Sequence, residues 1–106
     1  LSQEEMYLIK NHDRDKVRSI WFMRHHPNNP EEKGFFPVAW VRGLGEGRVF
    51  YTTLGHREDI WSIDPALPKR INSIEIASQF RSHLLGGIRW ALGLAPGSAE
   101  PNPTTN

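Results

Sequence analysis

Pro37-Val38-Ala39-Trp40-Val41-Arg42-Gly43-Leu44-Gly45-Glu46-Gly47-Arg48-Val49-Phe50-Tyr51-Thr52-Thr53-Leu54 is the stretch on which the architecture turns. Its two arms, Pro37 to Arg42 and Arg48 to Leu54, are rich in β-branched and aromatic residues, the side chains that suit a pleated surface. Between them the glycines at 43, 45 and 47 permit the positive φ angles of a tight reversal. The stretch therefore predicts a β-hairpin. Both arms are nearly continuous in apolar residues rather than alternating, so both faces of the sheet are expected to be covered by other elements.

Upstream, Val17 to Met23 reads as a further strand and Met6 to Ile9 as another, with the polar run Lys10 to Lys16 between them. Arg24 to Gly34, with Pro27, Pro30 and two asparagines, reads as an exposed loop. Downstream the period changes. Ala77, Phe80, Leu84, Ile88 and Ala91 recur at helical spacing, which predicts one apolar stripe on a helix. Asn72 with Glu75 resembles a capping box, and Gly93 followed by Pro96 suits the C-terminal stop. Gly86-Gly87 within the helix lowers stability by about 1 kcal/mol per glycine relative to alanine; close backbone packing against a neighbour and simple tolerance explain it equally well. Pro96 to Asn106 offers little apolar surface to offset ordering entropy and is expected to be a disordered tail after a domain spanning residues 1–95.

Four strands and one helix leave one sheet face without a cover. An N-terminal segment upstream of Leu1, or a dimer partner, would supply it, and the missing initiator Met favours the segment. The chain of 106 residues is 38% hydrophobic and 24% charged, with a formal net charge of +1 and both signs mixed along it. That pattern gives no electrostatic footprint for nucleic acid or an anionic membrane. No apolar run approaches the roughly 20 residues needed to span a bilayer, so the chain reads as soluble, with its compartment undetermined. With no cysteine, disulfides, thiolate metal sites and a cysteine nucleophile are excluded within the segment.

Three blocks carry a family resemblance: Pro37 to Trp40; Gly45 to His56, ending in Leu54-Gly55-His56; and Phe80 with His83-Leu84-Leu85-Gly86-Gly87-Ile88-Arg89-Trp90-Ala91-Leu92-Gly93. Together they resemble the C-terminal half of the ThuA-like, trehalose-utilisation family. Glu4-Glu5-Met6-Tyr7 is similar to the family's Asp-Glu-x-Tyr element, with Glu4 standing where Asp is usual. The resemblance implies a flavodoxin-like, three-layer α/β sandwich related to class I glutamine amidotransferases, whose first half would lie upstream. It also implies a role in the use of trehalose or similar disaccharides and their keto derivatives, in some bacteria beside a partner oxidoreductase. The cofactor is left unknown.

His56 follows a predicted strand, and strand ends of open α/β sheets are where sites gather. In class I amidotransferases a His-x-Glu at the equivalent turn orients a cysteine nucleophile; His56 and Glu58 resemble it in spacing, though the nucleophile is absent. An imidazole with a carboxylate partner acts as a general base, polarises a carbonyl or binds a metal; a turn-capping His56 and a solvated Glu58 are the alternatives. Glu5 and Tyr7, two apart on an extended strand, share a face from which a carboxylate and a phenol can bond sugar hydroxyls. Trp61 offers a ring for a sugar to stack on, or a core packing residue. Adjacent His25 and His26 lack the helical spacing of zinc motifs, and His83 reads as a packing residue. The expected function is sugar processing or binding, the alternative a catalytically inert binding or scaffold module of the same fold.

Overall fold

The computed structural model describes residues 6–26 and 29–103. A three-stranded antiparallel sheet, ordered β1-β2-β3, consists of β1 (Arg18–His26), β2 (Asn29–Leu44) and β3 (Gly47–Thr52). One helix, α1 (Ile74–Ala91), packs on one face of it. The chain is thus a small α/β fold. Gly45 turns the β2–β3 hairpin at φ +60°; a glycine with positive φ at the first central position matches the right-handed twist of the flanking strands.

Two expectations about strands are corrected. Met6 to Ile9 runs as irregular chain rather than as a strand. The expected loop from Arg24 to Gly34 instead continues the β1–β2 ladder, pairing Met23 with Phe36 and His25 with Lys33 through several register shifts. The physical reason lies in strand length. β3 reaches only Ala39 to Leu44 of β2, so the stretch holding Pro30 and Pro37 has a neighbour on one side alone. A missing N–H there can face away from the ladder.

Alternation across the pleat sends Ala39, Val41, Phe50 and Thr52 toward α1, and Trp40 and Tyr51 to the opposite face. On the helix face, Gly87 lies so close to the Phe50 ring that a Cβ would overlap it. Close packing explains this glycine; around Gly86 there is open space. His83 stacks on Trp21 with ring centroids 4.3 Å apart, and its Nε2 lies 3.1 Å from Thr52 Oγ1. Burial pushes its pKa down.

The buried stripe of α1 is Ala77, Phe80, Gly87 and Trp90, one step round from the expected stripe. Ile88, expected inside, is 53% exposed and joins Leu85 and Leu92 on an outward apolar strip. The Gly87–Phe50 contact fixes that rotation.

On the opposite sheet face Trp40 and Tyr51 stack at 4.5 Å, and Phe22 stacks on Phe35 at 4.6 Å. The segment 11–16 covers one end of this face, with His12 edge-on to Trp40 and the Arg14 guanidinium 3.8 Å from the Phe35 ring centre. Burial lowers the pKa of His12. No helix lies over this face among the described residues, and Tyr51 is 45% exposed.

The cap of α1 is Ser73, whose hydroxyl accepts from the Ile76 N–H at 3.1 Å; the expected Asn72 is buried and bonded elsewhere. At the other end Gly93 N–H reaches Trp90 O at 3.0 Å and Leu94 N–H reaches Arg89 O at 2.8 Å, the paired bonds that close a helix around a glycine. Residues 96–103, expected to be disordered, lie against the fold. The Trp90 indole donates to Gly97 O at 3.0 Å and Ser19 N–H donates to Asn102 Oδ1 at 2.6 Å. Backbone and side-chain hydrogen bonds supply what apolar burial cannot. No helix among the described residues is long and apolar enough to cross a membrane.

Candidate functional site

β3 delivers the chain to Gly55, whose φ of +126° bends it toward the helix, where an added Cβ would sit 3.5 Å from the Phe80 ring. The next residue, His56, is exposed at the turn. Its Nδ1 lies 3.2 Å from the hydroxyl of Tyr7. Two residues 49 positions apart, read separately in the sequence as site candidates, are therefore brought together.

A shallow cavity of about 330 Å³ opens beside the turn, lined by His56, Arg57, Glu58, Asp59, Leu67, Pro68 and Lys69. Glu58 lines this cavity together with His56. Trp61 does not line it; its ring is 41% exposed outside, and its carbonyl accepts from Arg81 Nε at 2.5 Å. Glu5 lies outside the described residues. His25 is exposed, and among the described residues no group of three or more His, Asp or Glu is placed to hold a metal ion.

The cavity wall is rigid for reasons that no local motif announces. Asp59, 4% exposed, takes both Arg57 Nε and Nη2 at 3.0 Å in a bidentate pair. It also accepts from Ile71 N–H at 2.7 Å, Asn72 N–H at 2.9 Å and the Asn72 side-chain amide at 2.9 Å. The Arg57 guanidinium, with help from the Asn72 and Ile71 donors and against the effect of burial, holds the Asp59 carboxyl far below the usual carboxylate range. A buried charge with every lone pair engaged is a strong anchor.

Arg70 complements it from the other side. Its Nη1 donates to Asp59 O at 3.2 Å and Asn72 O at 3.0 Å, and its Nη2 to Ser62 O at 2.7 Å and Asp64 O at 3.2 Å. One guanidinium thus gathers carbonyls from across the segment 59–72. Held in this frame, Lys69 adopts φ +57°, a left-handed conformation uncommon for a residue with a β-carbon. Lys69 went unremarked in the sequence, and so did the anchoring roles: Asp59 and Arg70 act on partners up to thirteen residues away, beyond any short spacing rule.

Chemically, the arrangement offers an imidazole whose orientation is set by a phenol, a nearby carboxylate, an ammonium group and an open, water-accessible mouth. Such a set can bind hydroxyl or carbonyl oxygens and move a proton.

Neither the curated proteins nor the solved structures give a match. Comparison with protein families does: residues 1–91 match the family described as ThuA, trehalose utilisation. A match spanning all three blocks of the hairpin, the His56 turn and the helix settles the assignment: the chain belongs to the ThuA, trehalose utilisation, family.

Proposed function

We propose that this chain binds or processes a carbohydrate, a trehalose-like disaccharide or its keto derivative, at the His56 turn. The observation that carries the reading is the 3.2 Å contact between Tyr7 and His56 at the edge of a polar cavity. When the Tyr7 hydroxyl donates to Nδ1, a neutral ring carries its proton on Nε2, where it can be given to a sugar carbonyl or hydroxyl oxygen. Glu58 is placed to receive sugar hydroxyls or to balance a charged imidazole, and Glu5 is proposed to join the site from the same N-terminal stretch as Tyr7. Trp61 is proposed as an outer stacking surface reached only by the distal ring of a disaccharide.

The uncovered sheet face and the outward strip of Leu85, Ile88 and Leu92 support a second part of the reading. The chain acts as the C-terminal half, residues 1–95, of a flavodoxin-like sandwich of the amidotransferase type. An upstream half packs over these apolar surfaces, and a separate oxidoreductase supplies the keto-sugar.

The test follows the line widths of trehalose and 3-ketotrehalose by NMR in the presence of the chain, alone and with the upstream half supplied. Broadening or conversion that disappears in His56→Ala, and weakens about fivefold in Tyr7→Phe through loss of one hydrogen bond, is the expected result. Equal behaviour of the wild-type and His56→Ala proteins toward both sugars overturns the reading in favour of the inert scaffold.

A further inference from the structure

β1 is an edge strand, and Ile20, Trp21 and Phe22 in its middle are each at least 40% exposed. Exposed apolar edges are sites at which another extended chain adds on. At the Ser19 end the edge is already occupied. The Asn102 carboxamide accepts from Ser19 N–H at 2.6 Å and donates to Ser19 O at 3.4 Å, doing with a side chain what the peptide unit of a neighbouring strand would do. Arg18 donates to Glu100 O at 3.2 Å, and the Trp90 indole to Gly97 O at 3.0 Å.

The occupying segment is a poor strand. Pro101 and Pro103 lack the N–H groups of a ladder, and the segment contains no large apolar side chain. Alongside it opens a cavity of about 550 Å³, lined by Ile20, Phe50, His83 and Trp90 and bordered by Gly97 and Ser98. The edge therefore presents strand-pairing groups and apolar space, both filled only in part.

We propose that the outer edge of β1 with this cavity is a strand-addition site, and that residues 97–102 are its intramolecular place-holder. Charge selects the occupant. Arg18 and Arg24 sit at the two ends of the apolar run, and the Arg24 guanidinium lies over Phe22, 5.6 Å from its ring centre. A second copy pairing antiparallel about Trp21 would set Arg18 against Arg24, a like-charge pair that destabilises a ladder. The partner is an extended segment with apolar side chains at alternate positions and a carboxylate at each end, placed to meet the two arginines.

The probe is a fluorescein-labelled synthetic peptide, Glu-Val-Thr-Val-Thr-Val-Glu, titrated into the intact chain. Asn102 is exposed, so Asn102→Ala leaves the core unchanged. It should tighten peptide binding about tenfold, the equivalent of two lost competing hydrogen bonds. Adding Arg24→Glu should reverse that gain. Amide exchange at Ser19 should accelerate in Asn102→Ala and slow again with peptide. Equal affinity for the wild-type and Asn102→Ala proteins, no binding to either, or indifference to Arg24→Glu overturns the proposal. So does a peptide-independent dimer of Asn102→Ala in light scattering, which would name a second copy as the occupant.

Discussion

Residues 57–72 and 96–103 are both irregular, polar and proline-containing, yet they are held in opposite ways. The first is cross-linked from within: a buried carboxylate and a guanidinium, Asp59 and Arg70, gather donors and acceptors from the whole segment. The second is tied to the edge of a strand by exposed bonds at Ser19 and Arg18, and to α1 by one part-buried bond from the Trp90 indole. Irregular chain becomes a stable wall when its polar groups converge on a buried charge, and it remains releasable when they meet only the surface. The candidate site is built on the first kind and the proposed strand-addition site is guarded by the second.

The sharpest way to break this contrast is Asp59→Asn. It removes the charge that Arg57 faces and turns an acceptor of several hydrogen bonds into a mixed group. The expected outcome is the largest fall in thermal midpoint of the changes considered, with fast amide exchange at Ile71 and Asn72. Arg70→Lys comes next. A lysine ammonium cannot span the four carbonyls, and the loss should be about 2 kcal/mol by urea unfolding.

Acidity separates the segment from the core. Because the folded pKa of Asp59 is lowered, its contribution is complete above the ordinary carboxylate value near 3.9 and is lost as pH falls below it. His12 and His83 have lowered folded pKa values too. For these bases the unfolded chain takes up protons first, so stability is complete above about pH 6.5 and declines as pH drops through that value. A denaturation series from pH 8 to 3 should therefore show two separate descents, of which only the lower is absent in Asp59→Asn. Asn102→Ala is the smallest, with a fall in global stability of about 1.4 kcal/mol, the same tenfold factor by which the peptide tightens, seen also in the Ser19 amide.

The hairpin and the helix were legible because each rests on short-range pattern; Tyr7 and His56 were each singled out, but their contact across 49 positions was not legible. The helix cap was misread by one residue. Asn72 has the chemistry of a cap, but the buried Asp59 claims it, leaving Ser73 to serve. The ladder beyond Phe36 was hidden because prolines and asparagines describe a loop unless β3 is known to stop short. The roles of Asp59, Arg70 and Lys69 escaped notice because they depend on which donors and carbonyls the fold collects, and spacing carries no record of that.

The contact between Gly87 and Phe50 has a mechanical meaning. With no side chain between helix backbone and ring, α1 cannot roll or slide over β3 without lifting away altogether. Helix and strand therefore act as one lever. Phe80, three residues before His83 on the same helix, has its ring 3.5 Å from where a Cβ on Gly55 would sit. A push on the outward face of α1, at Leu85 or Ile88, would therefore meet the Phe50 ring of β3 at once and move helix and strand together.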